Sequence, residues 1–264
     1  MENRLNRFEG KNVIVTGAGS GFGAAIATRF ASEGANVLLS DINSETVGAV
    51  ASNIKTDTKP AGSIETNVTN VAEEAEVIVM IEQANSAFGG IDVLVNNAGY
   101  SHLNKLTWKI SVEDFDAVFA VNVRGVFLGC KHVIPVMIQQ GTGGAIINIG
   151  SIGSIAPRPG VTPYNATKGA VLTMTKGLAL EVARNQIRVN AVNPVASLTG
   201  FMETATGVPA EDMSEEQKAR LISTIPLGRM AEPTDVAGAV TFLASDDAVF
   251  LTGTSINVDG GRSV

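Results

Sequence analysis

Compact apolar blocks alternate along this chain with longer stretches whose apolar positions recur at helical spacing. Residues 13–16 form a β-branched block that runs into a glycine cluster, and residues 24–31 behind it carry apolar side chains on a helical period. That succession predicts strand, tight turn and helix. The unit repeats, with further blocks at 37–40, 93–95, 145–149 and 187–192, each separated from the next by a segment of helix length. Strands apolar on both faces and alternating with helices predict a parallel sheet between two helix layers, a doubly wound α/β fold.

Helical spacing extends over 73–88, 112–137, 164–183 and 234–243. Pro163 and Pro233 stand close to the starts of the third and fourth helices, and Pro135 is expected to end or bend the second. Residues 197–225 break the rhythm. They hold Gly200, Gly207, Pro209 and an acidic cluster at 211–216, with Leu198, Phe201 and Met202 as large apolar residues. A long insertion after a strand is expected to form a mobile lid over a partly hydrophobic pocket.

Composition narrows the picture. Charged residues, 17% of the chain, are spread evenly, and Pro and Gly punctuate without collecting into a linker, so the reading is one domain over residues 1–264. A net charge of −7 with no basic stripe argues against a nucleic-acid partner. Cys130 is the single cysteine, which rules out an intrachain disulfide and a thiolate zinc cluster and suits the cytoplasm. Residues 1–10 are polar and charged, with no apolar signal core, and no stretch reaches the roughly 18 uninterrupted apolar residues of a membrane span. No metal site is expected, nor any membrane partner.

Two constellations carry candidate chemistry. Thr16-Gly17-Ala18-Gly19-Ser20-Gly21-Phe22-Gly23 lies where the first strand meets the first helix, so the backbone can approach a pyrophosphate held at the helix N-terminus. Asp41 ends the next strand, about 20 residues on, where a carboxylate accepts hydrogen bonds from ribose hydroxyls. A carboxylate there repels a ribose 2′-phosphate, and no Lys or Arg stands at Ser20, Ile42 or Asn43 to offset it. NAD is therefore expected over NADP. The second constellation is Tyr164 and Lys168, one turn apart on a helix face, where an ammonium could lower the phenol pKa.

With these motifs in order, the chain resembles the short-chain dehydrogenase/reductase family, over about residues 10–261. Gly17, Gly21 and Gly23 match its Thr-Gly-x-x-x-Gly-x-Gly turn, and Asn96-Asn97-Ala98-Gly99 matches its Asn-Asn-Ala-Gly segment. Asn122, Ser151, Tyr164 and Lys168 match its catalytic tetrad. The resemblance implies a Rossmann domain and hydride exchange between NAD(H) and an alcohol or carbonyl substrate. Ser151 would hydrogen-bond the substrate oxygen and Tyr164 would exchange its proton. Lys168 would bind the nicotinamide ribose and lower the tyrosine pKa, and Asn122 would hold a relay water. Ser154 competes with Ser151 for the first role, and the family's serine-to-tyrosine spacing selects Ser151. Cofactor contacts are expected from Gly17, Ser20, Gly21, Phe22, Gly23, Asp41, Ile42, Asn67, Val68, Asn97, Ala98, Gly99, Tyr164, Lys168, Pro194, Val195 and Thr199.

The tail, 226–229 through 258–261, resembles the tetrameric members and implies a homotetramer with helices 112–137 and 164–183 between subunits. Cys130 and His132 on the first of these read as packing residues, while His102 and Trp108 are placed either at substrate or on a surface loop. Two departures stand out: Val195 where relatives have a glycine that permits positive φ, and Asn67 where many have Asp beside the adenine. The favoured substrate is a small or medium secondary alcohol, sugar or polyol. The alternatives are a 3-oxoacyl-[acyl-carrier-protein] reductase, disfavoured because Pro135 and Leu180 stand where basic docking residues are expected, and a non-catalytic NAD-binding scaffold or sensor, disfavoured by the intact tetrad.

Overall fold

The computed structural model describes residues 6–197, 200–209 and 212–264. Its first half alternates β1 (Asn12–Thr16), α1 (Gly21–Ser32), β2 (Asn36–Asp41), α2 (Ser44–Asp57), β3 (Ile64–Val68), α3 (Glu74–Phe88) and β4 (Val93–Asn96). The second half continues with α4 (Val112–Phe119), α5 (Gly125–Gln140), β5 (Gly144–Ile149), α6 (Thr162–Val182) and β6 (Ile187–Pro194). It ends with α7 (Gly200–Thr206), α8 (Glu215–Ile222), α9 (Pro233–Ala244) and β7 (Ser255–Val258).

All seven strands lie in one parallel sheet of order β3-β2-β1-β4-β5-β6-β7. The chain winds outward from β1 to β3, then crosses back to set β4 on the other side of β1. Loops leaving β1 and β4 therefore part in opposite directions and open a crevice at the carboxyl ends of the strands.

Alternation along each strand feeds two cores. Val13, Val15, Val37 and Leu39 pack against Ile26 and Phe30 of α1 and Val236 and Val240 of α9. Ile14, Leu38, Leu94 and Ile146 face the other way, onto Met80 of α3, Val133 and Met137 of α5, and Val171 of α6. Burial on both faces is why these strands read as unbroken apolar blocks.

The expected elements occur, with ends shifted by a residue or a few, and three features differ. First, the 112–137 helix is α4, a π-helical turn at Ala120–Arg124, and α5, and Pro135 does not stop it. Pro135 and Lys131, whose carbonyl loses its i+4 donor, are both exposed, so water can serve that oxygen; the helix ends at Gln140, capped by Gly141 at φ +72°. By length and composition alone the continuous run Val112–Gln140 could cross a membrane. Its Val126, Leu128, Cys130, Val133 and Met137 are buried in the second core instead. Second, β3 and β7 join the sheet although their sequences, IETNV and SINV, form no apolar block; only alternate side chains turn inward. Third, residues 197–225 contain α7 and α8, and Ser214 with Gln217 forms a capping box inside the acidic cluster.

Candidate active site

The glycine turn is tied to the end of β4 by two side chains. The Asn97 amide donates to the carbonyls of Thr16 (2.8 Å) and Gly17 (3.0 Å), while the Thr16 hydroxyl accepts from the backbone N–H of Asn97 (3.0 Å) and Ala98 (3.1 Å). Gly17 has φ +64°, and a Cβ there would stand 2.8 Å from the Ala98 Cα. A Cβ on Gly23 would overlap the Gly17 carbonyl oxygen, because α1 starts directly against the turn. Ser20 is the N-cap of α1, extended, and caps it with no side-chain hydrogen bond. Among the described residues no side chain accepts from the first N–H groups of α1, which suits them to a phosphate.

At the neighbouring strand end the Asp41 carboxylate accepts from the N–H of Gly19 (2.8 Å) and of Asn43 (3.0 Å). Its position beside the turn is fixed by backbone donors. These features fit a dinucleotide: a glycine cradle that a methyl group would fill, uncapped helix donors, and a carboxylate one strand away.

Ser151 follows β5 and Tyr164 and Lys168 lie in the first two turns of α6. The Ser151 hydroxyl accepts from the Gly153 N–H (3.0 Å), and Ser151 shares the cleft lining with Tyr164. Ser154 bonds back to the Ser151 carbonyl (2.5 Å) and stays outside the cleft lining, whereas Ser151 is in it. Burial pushes the Tyr164 phenol up; the Ser151 hydrogen bond and the Arg158 charge pull it back only in part.

Lys168 is held from the end of β5. Its Nζ donates to the Ile149 carbonyl (2.7 Å) and stands 5.8 Å from the Tyr164 ring centroid. Burial brings its own pKa down to about 8.

Asn122 is fully buried in the π-helical turn. Its amide donates to the Tyr100 carbonyl (2.9 Å) and the Thr167 hydroxyl (3.0 Å), and its Oδ1 accepts from the Tyr100 N–H (2.8 Å). Both amide hydrogens are therefore engaged, leaving one Oδ1 lone pair for the expected relay water.

These parts meet in one cleft of about 350 Å³. Gly17, Ser20, Gly21, Phe22, Gly23, Asp41, Asn97, Ala98, Gly99, Ser151, Tyr164, Lys168, Pro194 and Val195 line it. Asn122 lies behind the lining, and Ile42, Asn67 and Val68 lie outside it at the ends of β2 and β3. Asn67 is occupied by Gln83 (2.6 Å) and by the Thr69 hydroxyl. Thr199 falls outside the described residues, as does Leu198; the side chain of Phe201 is likewise not described, whereas Met202 lines the cleft.

Val195 keeps an ordinary φ. Its N–H donates to the Val258 carbonyl (3.0 Å) and its side chain packs with Ile152 and Ile225. His102 is buried with Nδ1 on the Leu103 carbonyl (2.7 Å), Trp108 is 78% exposed, and neither lines the cleft. Cys130 is buried, its thiol pushed up to about 12, and His132 pairs with Glu74 (2.9 Å). Sequence reasoning missed Arg158 and Arg262, which line the cleft wall with Ile152, Leu221, Thr224 and Ile225. A lone basic residue six positions before Tyr164 was the available signal for the first.

A family model described as enoyl-(acyl carrier protein) reductase matches residues 17–263. The chain is 42% identical to 4-formylbenzenesulfonate dehydrogenase of Comamonas testosteroni, over 95% of this chain and 97% of that protein. The chain belongs to the short-chain dehydrogenase/reductase family. It is also 40% identical to 3-oxoacyl-[acyl-carrier-protein] reductase of Thermotoga maritima, over 97% of this chain and 98% of that one. Among solved structures, 3-ketoacyl-(acyl-carrier-protein) reductase of Brucella melitensis complexed with NADH superposes with a TM-score of 0.88 at 39% identity, covering 97% of this chain and 99% of that one. As a short-chain dehydrogenase/reductase, the protein is an oxidoreductase acting between an alcohol and a carbonyl with a nicotinamide cofactor.

Proposed function

We propose that this single-domain enzyme interconverts a secondary alcohol and its carbonyl with NAD(H) in preference to NADP(H), through Ser151, Tyr164 and Lys168. The observation that carries the reading is the meeting of Ser151, Tyr164 and Lys168 in a cleft that also holds the glycine turn and Asp41. NAD supplies the hydride acceptor when bound. The N-terminus of α1 and the turn at Gly17–Gly23 would hold its phosphates, and Asp41 its adenosine ribose.

In this reading Ser151 donates to the substrate oxygen and Tyr164 takes the hydroxyl proton during oxidation, returning it during reduction. A buried phenol with a raised pKa is a poor base by itself. The positive charge a nicotinamide brings, together with Arg158 and Ser151, favours the phenolate. Lys168, pinned by Ile149, would hold the nicotinamide ribose. Asn122 acts as a positioning residue, locking the backbone at Tyr100 to Thr167 of α6.

The NAD preference is supported by the lack of any Lys or Arg at Ser20, Ile42 and Asn43. A homotetramer in the cytoplasm is proposed from the exposed apolar faces of α4, α5 and α6 and the buried free thiol. An acyl-carrier substrate is disfavoured by Leu180, 83% exposed on α6 where an acidic partner would need a cation. The test is Tyr164→Phe. Single-turnover hydride transfer is expected to fall by about 10²-fold or more with NADH binding retained; full transfer by the variant overturns the assignment.

A further inference from the structure

The charges of the cleft run against those of the chain. The sequence carries a net −7, yet Asp41 is the one carboxylate among the described residues lining the cleft, and it sits at the glycine-turn end with its oxygens on backbone donors. The other ionisable residues lining the cleft are Tyr164 and the cations Lys168, Arg158 and Arg262. Lys168 is engaged by the Ile149 carbonyl. Arg158 and Arg262 have no ion pair among the described residues. The Arg262 guanidinium bonds the Thr224 hydroxyl, and the Arg158 guanidinium bonds no described side chain.

Two partly buried guanidiniums in one cleft are an unfavourable arrangement. Burial disfavours the Arg158 charge, Arg262 repels it, and only Tyr164 favours it. A guanidinium cannot escape by losing its proton. What relieves the arrangement is a planar or tetrahedral oxyanion, which a guanidinium meets with two parallel hydrogen bonds. Ile152, Ala156, Leu221 and Ile225 line the same cleft and offer apolar contact.

We propose that Arg158 and Arg262 dock an anionic group of the substrate, a carboxylate, sulfonate or phosphoryl group, while its alcohol or carbonyl carbon lies at Ser151 and Tyr164. The substrate class is then a hydroxy or oxo compound with an apolar spacer and a terminal oxyanion. This rests on the dehydrogenase reading above. The cofactor's own phosphates are assigned to the glycine turn, so the docking site stays open when NADH is bound.

The experiment titrates the NADH-saturated protein with 4-methylbenzoate, 4-methylbenzenesulfonate and the neutral isostere 4-methylbenzamide, reading NADH fluorescence and calorimetric heat. At low salt the anions are expected to bind about tenfold or more tighter than the amide. That preference should shrink to about twofold or less in 1 M KCl and in both Arg158→Met and Arg262→Met. Because the readout is a ratio within each protein, a general loss of affinity does not mimic it, and the salt series needs no variant. Equal binding of anion and amide by the wild type, or a preference surviving in either variant, overturns the proposal. Failure of NADH to bind sinks the dehydrogenase reading instead, and calorimetry of the cofactor-free protein with the same three compounds then decides the anion site alone.

Discussion

A lysine 4% exposed, with a single backbone carbonyl as hydrogen-bond partner, carries its charge at a cost. Burial brings Lys168 to about 8 from an ordinary 10.5, so between those values the unfolded chain binds more protons than the native protein. Stability contributed by this group therefore rises with pH across about 8 to 10.5. Denaturant unfolding of wild type and Lys168→Met over pH 7 to 10.5 is expected to show wild type gaining on the variant, by on the order of 3 kcal/mol at most. Parallel curves would mean the ammonium is better solvated than its burial implies. Tyr164 works in the opposite sense: with its pKa raised, its contribution is lost as pH climbs above 10, which makes pH 10.5 the sensible upper limit. At Asp41 the prediction concerns selectivity. Asp41→Ser combined with Ile42→Arg removes a repelling carboxylate and adds a cation beside it. The ratio of kcat/KM for NADP to that for NAD should rise by about tenfold or more. An unchanged ratio would show that another group reads the ribose.

At the scale of elements, the junction of β1 and α1 is the least forgiving. Gly23→Ala drives a methyl group into the Gly17 carbonyl, and that carbonyl already accepts from Asn97. Overpacking of this kind costs about 1–3 kcal/mol. NADH affinity is expected to fall with it, since the turn and the start of α1 move together; a calorimetric titration with a wild-type dissociation constant would contradict the tight packing described. This junction was fully legible in the sequence, because glycine spacing and a β-branched block are local signals. So were the five strands buried on both faces; Ser151, Tyr164 and Lys168 were singled out by the family resemblance, since the Tyr164–Lys168 spacing alone is common on helix surfaces. Edge strands β3 and β7 were not, since half their residues face out and leave no apolar block. The π-helical turn at Asn122 was also hidden: one extra residue in a turn leaves the periodicity of an apolar helix almost unchanged. Arg158 and Arg262 could not be paired from sequence, because 104 positions separate them and it is the pairing of β7 with β6 that brings the chain end back to the cleft.

On the scale of the whole molecule, large apolar side chains remain at the surface of α4, α5 and α6, among them Phe115, Phe127 and Leu180, with Phe250 near β7 99% exposed. Apolar surface left uncovered in this way marks association. Sedimentation equilibrium is expected to give four chains, and Phe127→Glu to shift the distribution to smaller species with hydride transfer impaired; a monomeric wild type would refute the tetramer. The strand order has a consequence of another kind, in the order of synthesis. β1 pairs β2 promptly, but its other edge belongs to β4, and Val13 finds Val93 only after some eighty further residues have been made. Until then β1, buried along its whole length in the finished sheet, presents an open edge at its apolar Val13, Ile14 and Val15, a state prone to pairing with a neighbouring chain. A nascent chain stalled before residue 93 would therefore be the sticky species of this protein, and completion of β4 the event that ends its exposure.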